Sequence, residues 1–333
     1  MNELKVRTVA GIAGGAKAKT KLVITDVDGT LASFWDYFVP AIRDFVRDIS
    51  SRTDRSYHEL ARDIGHVIER RGTHEYPWLL EETGFAWSNF EKEPDVFIEE
   101  FVKPFWESVD ENRTKYLRPY PMVLETLEAL KRKGVKVVAL SDAPEYMARV
   151  RNKQIFDGLL DAVYSLETVE PAADDPFRPI SFKHGRERVE KLRKETADLQ
   201  TRLQILPFEY EKPCPIGLDQ VLKDFDVYPQ ETLFIGDSLA KDGIVAASRG
   251  IRFLWAHYGS SLPAEYEEVI NYSLKPDLPK DLRSALRIEY GLEIADLLAI
   301  DNIPIALLRY IKSEYIERRY YDFEHNVWEI LSD

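Results

Sequence analysis

Asp26 and Asp28 stand one residue apart, directly after the apolar run Leu22-Val23-Ile24 and directly before Gly29. Two carboxylates that close repel each other and persist most easily where a cation or a shared proton relieves the repulsion. Three further stretches offer complementary chemistry. Ser141-Asp142 follows the apolar run at 135–140, Lys212 sits in the frame Lys212-Pro213-Cys214-Pro215, and Gly236-Asp237-Ser238 is followed by Asp242. Cleaving a phosphate monoester requires a nucleophile, charge neutralisation and a proton for the leaving oxygen, because phosphoryl transfer depends mainly on positioning and electrostatics. A carboxylate can attack phosphorus, and a second carboxyl group can donate and later accept the proton. Mg²⁺, a hard cation bound through oxygen, suits carboxylates facing a phosphate. Lys212 supplies fixed positive charge and Ser141 a hydrogen bond for phosphoryl oxygens.

The elements that must position these groups follow from hydrophobic periodicity. Short β-branched runs at 22–24, 135–140, 162–165, 232–235 and 251–255 read as buried strands, each separated from the next by helical segments. This alternation predicts an α/β fold with a doubly wound, mainly parallel sheet. The charged groups then fall at strand carboxyl ends, where such sheets form their ligand crevice. Residues 37–118 interrupt the alternation with helical spacing at 37–49, 56–70 and 94–109, so they are expected to form a helical insert. Within it, the loop at 70–78 reads either as a packing anchor centred on Pro77-Trp78 or as a lid that selects substrate.

From 167 to 208 the regular pattern lapses. An acidic, proline-rich loop precedes a segment at 185–206 with Val189, Leu192, Thr196, Leu199, Leu203 and Leu206 at heptad-like spacing. This predicts a helix packed on the body, with a self-association surface as the alternative. Beyond 261, helices are expected at 280–290, 292–300 and 304–321, again with docking or homo-oligomerisation as the two uses.

Taken together, Asp26-x-Asp28-Gly29-Thr30, a strand ending in Ser141, Lys212-Pro213-x-Pro215 and Gly236-Asp237-Ser238 with Asp242 resemble the four ordered motifs of the haloacid dehalogenase-like (HAD) hydrolase superfamily. The resemblance covers roughly 20–36 and 119–260, and the insert occupies the place of that family's helical C1 cap. It implies a core at 20–36 and 119–261, a cap at 37–118 and a C-terminal extension at 262–333. Asp26 would be the nucleophile and Asp28 the acid and base. The metal site would comprise the Asp26 carboxylate, the Asp28 backbone carbonyl, Asp237 and, directly or through water, Asp242. Thr30, Ser141, Asp142 and Lys212 would bind the phosphoryl group, although Asp142 has helix capping as a rival role and Lys183 competes with Lys212. Because the family's dehalogenases lack an aspartate at the position of Asp28, the resemblance implies a Mg²⁺-dependent phosphatase acting through an aspartyl-phosphate on a small phosphorylated metabolite. A phosphomutase or phosphotransferase, and a non-catalytic phospholigand-binding scaffold, are the alternatives.

Composition excludes some broad classes. A net charge of −13 over 333 residues argues against a general nucleic-acid or anionic-membrane surface. No apolar run approaches the roughly 18 residues of a membrane span. A single cysteine, Cys214, precludes an internal disulfide and fits a reducing, cytoplasmic location; it reads as a packing residue. The six histidines show no metal-ligand pairing. Residues 1–19, small and glycine-broken, read as a flexible tail, not as a secretion signal.

Overall fold

Leu22, Val23 and Ile24 are fully buried, and the strand they build, β1 (Leu22–Thr25), lies inside a six-stranded sheet. The computed structural model describes residues 19–260. The other strands are β2 (Lys136–Pro144), β3 (Ala162–Leu166), β4 (Arg202–Leu206), β5 (Thr232–Gly236) and β6 (Arg252–Trp255). All pairings are parallel, in the order β4-β3-β2-β1-β5-β6. The chain steps outward from β1 through β2, β3 and β4, then resumes on the opposite side with β5. The strand order therefore reverses at β1, and the crevice belongs at its carboxyl end. Thr25 is in register with Ala139 of β2 and Ile235 of β5, so the residues beyond Thr25, Leu140 and Gly236 emerge side by side.

Both faces of the sheet are covered, which explains why its strands are apolar runs without polar alternation. Leu22, Ile24, Val138, Leu140 and Phe234 pack on one side with Leu218 and Val221 of α9 (Ile216–Phe225) and with Val245 of α10 (Ile244–Ser248). Val23, Val137, Ala139, Leu233 and Ile235 pack on the other with α6 (Val123–Arg132) and with the helical insert. Each fully buried aliphatic side chain contributes roughly 1.5–3 kcal/mol. The centre of the sheet is accordingly a stiff platform for the groups at its end.

The insert comprises α1 (Trp35–Arg52), α2 (Tyr57–Arg71), α3 (Gly84–Phe90), α4 (Pro94–Phe97) and α5 (Lys103–Tyr116), with a π-turn at Ile98–Val102 joining the last two. A reciprocal Ser56–Glu59 capping box starts α2, and Gly72 closes it in the left-handed conformation. The sequence pattern misses α3, which is too short for periodicity. Its first amides are held by the Asp63 carboxylate, which accepts from Gly84 N at 2.8 Å and Phe85 N at 2.7 Å. The apolar side chains of the insert belong to the same buried cluster as one face of the sheet.

The expected helix at 185–206 requires correction. Helix α8 (Lys183–Glu195) stops before Thr196, whose hydroxyl donates back to Leu192 O at 2.8 Å. Asp157 Oδ1 then accepts from Gln200 N and Thr201 N, drawing the chain into register for β4. Pairing of β4 with β3 overrides the helical spacing of Leu203 and Leu206. Val189 and Leu192 pack on Tyr146, Met147 and Val150 of the core, chiefly on α7 (Glu145–Arg151). No single helix spans 185–206 to offer a partner surface. The N-terminal tail and the C-terminal helices expected from sequence, with the association surface assigned to them, lie outside the described residues. Among those described, no helix is long and apolar enough to cross a membrane.

Candidate active site

The chain leaves β1 at Asp26, whose amide still donates to Ile235 O of β5 at 2.9 Å. It leaves β5 at Gly236-Asp237, and Asp242 returns from the following π-turn, Leu239–Gly243. Carboxylate oxygens of Asp26, Asp237 and Asp242 all lie within 4.8 Å of one another. Two glycines make this approach possible. A Cβ at Gly29, which has φ +77°, would lie 2.5 Å from Asp237 Oδ2, and one at Gly236 would lie 2.4 Å from the Asp242 carboxyl.

Lys212 is buried against this cluster. Its Nζ donates to Asp26 Oδ1 at 2.7 Å and to Asp242 Oδ1 at 2.6 Å. Burial pulls the ammonium toward neutrality, but Asp242 and Asp26 outweigh it and hold Lys212 well above its ordinary value. Burial pushes Asp242 up to about 7 against the opposing charge of Lys212. Burial, followed by the charges of Asp26 and Asp242, pushes Asp237 well above the carboxylate range. No cation is paired directly with the Asp237 carboxylate among the described residues. Three carboxylates sharing one lysine leave excess negative charge, and a hard, oxygen-ligated divalent cation fits that donor set.

Asp142 does not cap a helix here. Its Oδ1 accepts from Lys212 N at 3.0 Å and its Oδ2 from Lys241 Nζ at 3.0 Å. Lys241 also donates to Glu211 Oε1 at 2.5 Å. Asp142 thus fixes the backbone from which Lys212 extends, while Lys183 is exposed in the first turn of α8.

Asp28 points into different surroundings. Its Oδ1 lies 3.0 Å from Arg151 Nε, and Arg151 Nη2 donates to Glu75 Oε2 at 2.5 Å. Burial pushes the Asp28 carboxyl up to about 7, with Arg151 opposing and Glu75 and Asp26 adding to the rise. Ser141 is buried at the end of β2, its Oγ accepting from Ala143 N at 3.1 Å. Thr30 is also buried; its Oγ1 has no hydrogen-bond partner among the described residues.

Of the two roles expected for the loop at 70–78, the structure shows the packing anchor. Trp78 is a packing anchor, buried and donating through Nε1 to Phe182 O at 3.0 Å. The same loop sends Glu75 toward Asp28 and, through Thr73 and Tyr76, lines a cavity of about 110 Å³ that also touches Asp142, Thr168 and Phe208. His74 packs on the rings of Phe34 and Trp35. Sequence reasoning misses Glu75, Arg151 and Lys241 as neighbours of the site. Arg151 sits among the inward residues of α7, and a charge on that face was the one available signal.

A family model described as haloacid dehalogenase-like hydrolase matches residues 20–250. Two curated relatives are similar over shorter stretches. A glyceraldehyde 3-phosphate phosphatase of Pyrococcus furiosus is 35% identical over 103 residues, 30% of this chain and 42% of that protein. A phosphoglycolate phosphatase of Aquifex aeolicus is 42% identical over 55 residues, 16% of this chain and 26% of that protein. The chain spans less than half the length of these curated relatives. A solved HAD phosphatase from Thermococcus onnurineus is similar at TM-score 0.41 and 19% identity, covering 71% of this chain and 86% of that one.

Proposed function

The chain belongs to the haloacid dehalogenase-like hydrolase family, and we propose that it is a Mg²⁺-dependent phosphatase of small phosphorylated metabolites, working through an aspartyl-phosphate on Asp26 beneath the helical insert as a cap. The observation that carries this reading is the division of labour between two carboxylates. Asp26 is gripped by Lys212 within an acidic cluster, while Asp28 is turned to Arg151 and its carboxyl pushed up to about 7 by burial. One carboxylate is thereby held in place for attack by the Lys212 ammonium, and the other is suited to carry a proton near neutral pH.

In this mechanism the Asp26 carboxylate attacks phosphorus and the ester P–O bond breaks. The leaving oxygen keeps the bonding pair and takes the Asp28 proton. A water molecule, deprotonated by Asp28, then attacks phosphorus, and cleavage of the bond to Asp26 releases inorganic phosphate. Lys212 orients the nucleophile and offers its charge to the phosphoryl oxygens, and Ser141 and Thr30 offer hydroxyl donors. Mg²⁺, held by Asp26, Asp237, Asp242 and the Asp28 carbonyl, would neutralise charge developing on the phosphoryl group. A small phosphorylated substrate is supported by the compounds named for the two relatives, glyceraldehyde 3-phosphate and phosphoglycolate. Hydrolysis of 4-nitrophenyl phosphate by the purified chain with Mg²⁺, and its loss in Asp26→Asn, tests the assignment. Full activity in that variant would sink it.

A further inference from the structure

The mechanism above leaves Arg151 and Glu75 without a task, although they are among the most deeply buried charged side chains next to the site, at 2% and 3% exposure. The guanidinium lies between two carboxylates contributed by separate parts of the chain: Asp28 from the turn after β1 and Glu75 from the insert loop. Glu75 is itself fixed from three directions. Tyr37 OH of α1 donates to its Oε1 at 3.0 Å, Arg151 donates to its Oε2, and Tyr146 OH of α7 donates to its backbone carbonyl at 2.6 Å. The ring of Phe34 lies 5.5 Å from the guanidinium carbon.

A buried ion triad is a poor device for stability alone, because desolvation offsets most of its Coulomb attraction and apolar packing performs as well. What it does provide is direction. Arg151 Nη2 donates to Glu75, while Nε stands 3.0 Å from Asp28 Oδ1 out of hydrogen-bond alignment, so a guanidinium fixed by Glu75 draws the Asp28 carboxylate to one side by charge. Asp28 remains 27% exposed, so it is held on its buried side and open on the other.

We propose that Arg151, anchored by Glu75, is a positioning residue that aims the Asp28 carboxyl group at the leaving-group oxygen of the substrate. This inference rests on the assignment of Asp28 as acid and base. No proton passes through Arg151; it remains a cation while the Asp28 proton moves to the ester oxygen as the P–O bond breaks. Because Glu75 belongs to the insert, the seating of the insert on the core sets the aim of a residue in the core.

Leaving-group dependence tests this, since a good leaving group departs without a proton and a poor one needs it. The measurement is kcat/KM with Mg²⁺ over monoesters running from 4-nitrophenyl phosphate to a simple alkyl phosphate, for wild type, Asp28→Asn, Glu75→Gln and Arg151→Lys. General acid catalysis is worth roughly 10²–10⁴-fold, so Asp28→Asn should lose about 10²-fold more on the alkyl ester than on the nitrophenyl ester. The Glu75 and Arg151 variants should show the same tilt at about 10-fold, with the nitrophenyl ester nearly unaffected. A uniform loss across the series, or none, in both variants overturns the proposal, because a structural role would not sort substrates by leaving group. If Arg151→Lys does not fold, Glu75→Gln, which preserves side-chain shape and an oxygen acceptor for Tyr37, decides alone. An Asp28→Asn profile parallel to wild type would remove the acid role itself, a separate failure that overturns both assignments.

Discussion

Asp26 and Asp28 are neighbours in sequence, yet they end in two electrostatic surroundings built differently. Around Asp26, three carboxylates converge on one lysine, so negative charge is in excess and a further cation is called for. Around Asp28, a single guanidinium is shared with Glu75, and the Phe34 ring lies 5.5 Å from that guanidinium. The first cluster comes from strand ends and the turns after β1 and β5. The second is assembled across the seam between core and insert. Identical side chains thus acquire different chemistry from the number and kind of cations that the fold brings to them.

The most disruptive test of this contrast removes the lysine. Lys212→Met should lower kcat/KM by about 10²–10³-fold, the range for loss of one preorganised charge donor. It should also destabilise the cation-free protein by roughly 3–5 kcal/mol in urea titrations, because it leaves buried carboxylates uncompensated. Unchanged stability would mean that Lys212 does not balance the cluster.

Glu81 extends the comparison to a carboxylate with neither kind of partner. It is fully buried, its oxygens have no hydrogen-bond partner among the described residues, and His184 Nδ1 stands 3.9 Å away. Burial pushes its carboxyl up to about 8. Between the unfolded value near 4.3 and about 8, the folded chain holds a proton that the unfolded chain has lost, so stability falls as pH rises through that window. Glu81→Gln keeps the neutral form at every pH. It should match wild type near pH 4 and exceed it by roughly 4 kcal/mol at pH 8; parallel stability profiles for the two proteins would count against a buried, proton-bearing Glu81.

The two clusters should also answer Mg²⁺ differently. Asp237→Asn relieves repulsion and should raise cation-free stability by about 1–2 kcal/mol while abolishing the rise in Tm that Mg²⁺ gives wild type. Asp28→Asn should preserve that rise, since its carboxylate faces Arg151. Loss of the Mg²⁺ response in both variants would merge the two clusters into one. Gly29→Ala should cost more than the about 1–2 kcal/mol of its left-handed φ of +77°, because the added Cβ would stand 2.5 Å from Asp237 Oδ2 and force that carboxylate to move. Its Mg²⁺ midpoint, followed by thermal shift, should move to higher concentration.

Much of the core was legible before any coordinates. The apolar runs ending in Asp26, Ser141 and Asp237 became β1, β2 and β5 because a strand buried on both faces leaves an unbroken hydrophobic signature. Lys212 was separable from Lys183 by its place one helix and one strand before Asp237. The strand at Arg202–Leu206 was not legible. It is an edge strand, with Ile205 43% exposed, and its leucines fit helical spacing until pairing with β3 imposes a different period. Arg151 and Glu75 were hidden for another reason: a charge on a short helix or in a loop reads as solvated unless its buried partners are known.

The sequence by itself determined where the carboxylates stand, because a strand and its tight glycine turn are local structures that a few adjacent residues specify. Only the tertiary structure decided which cation each carboxylate meets. Lys212 reaches Asp26 across 186 positions of chain, and Arg151 reaches Glu75 across 76. Coulomb attraction depends on distance in space and on the exclusion of water, and neither is written in the order of the residues.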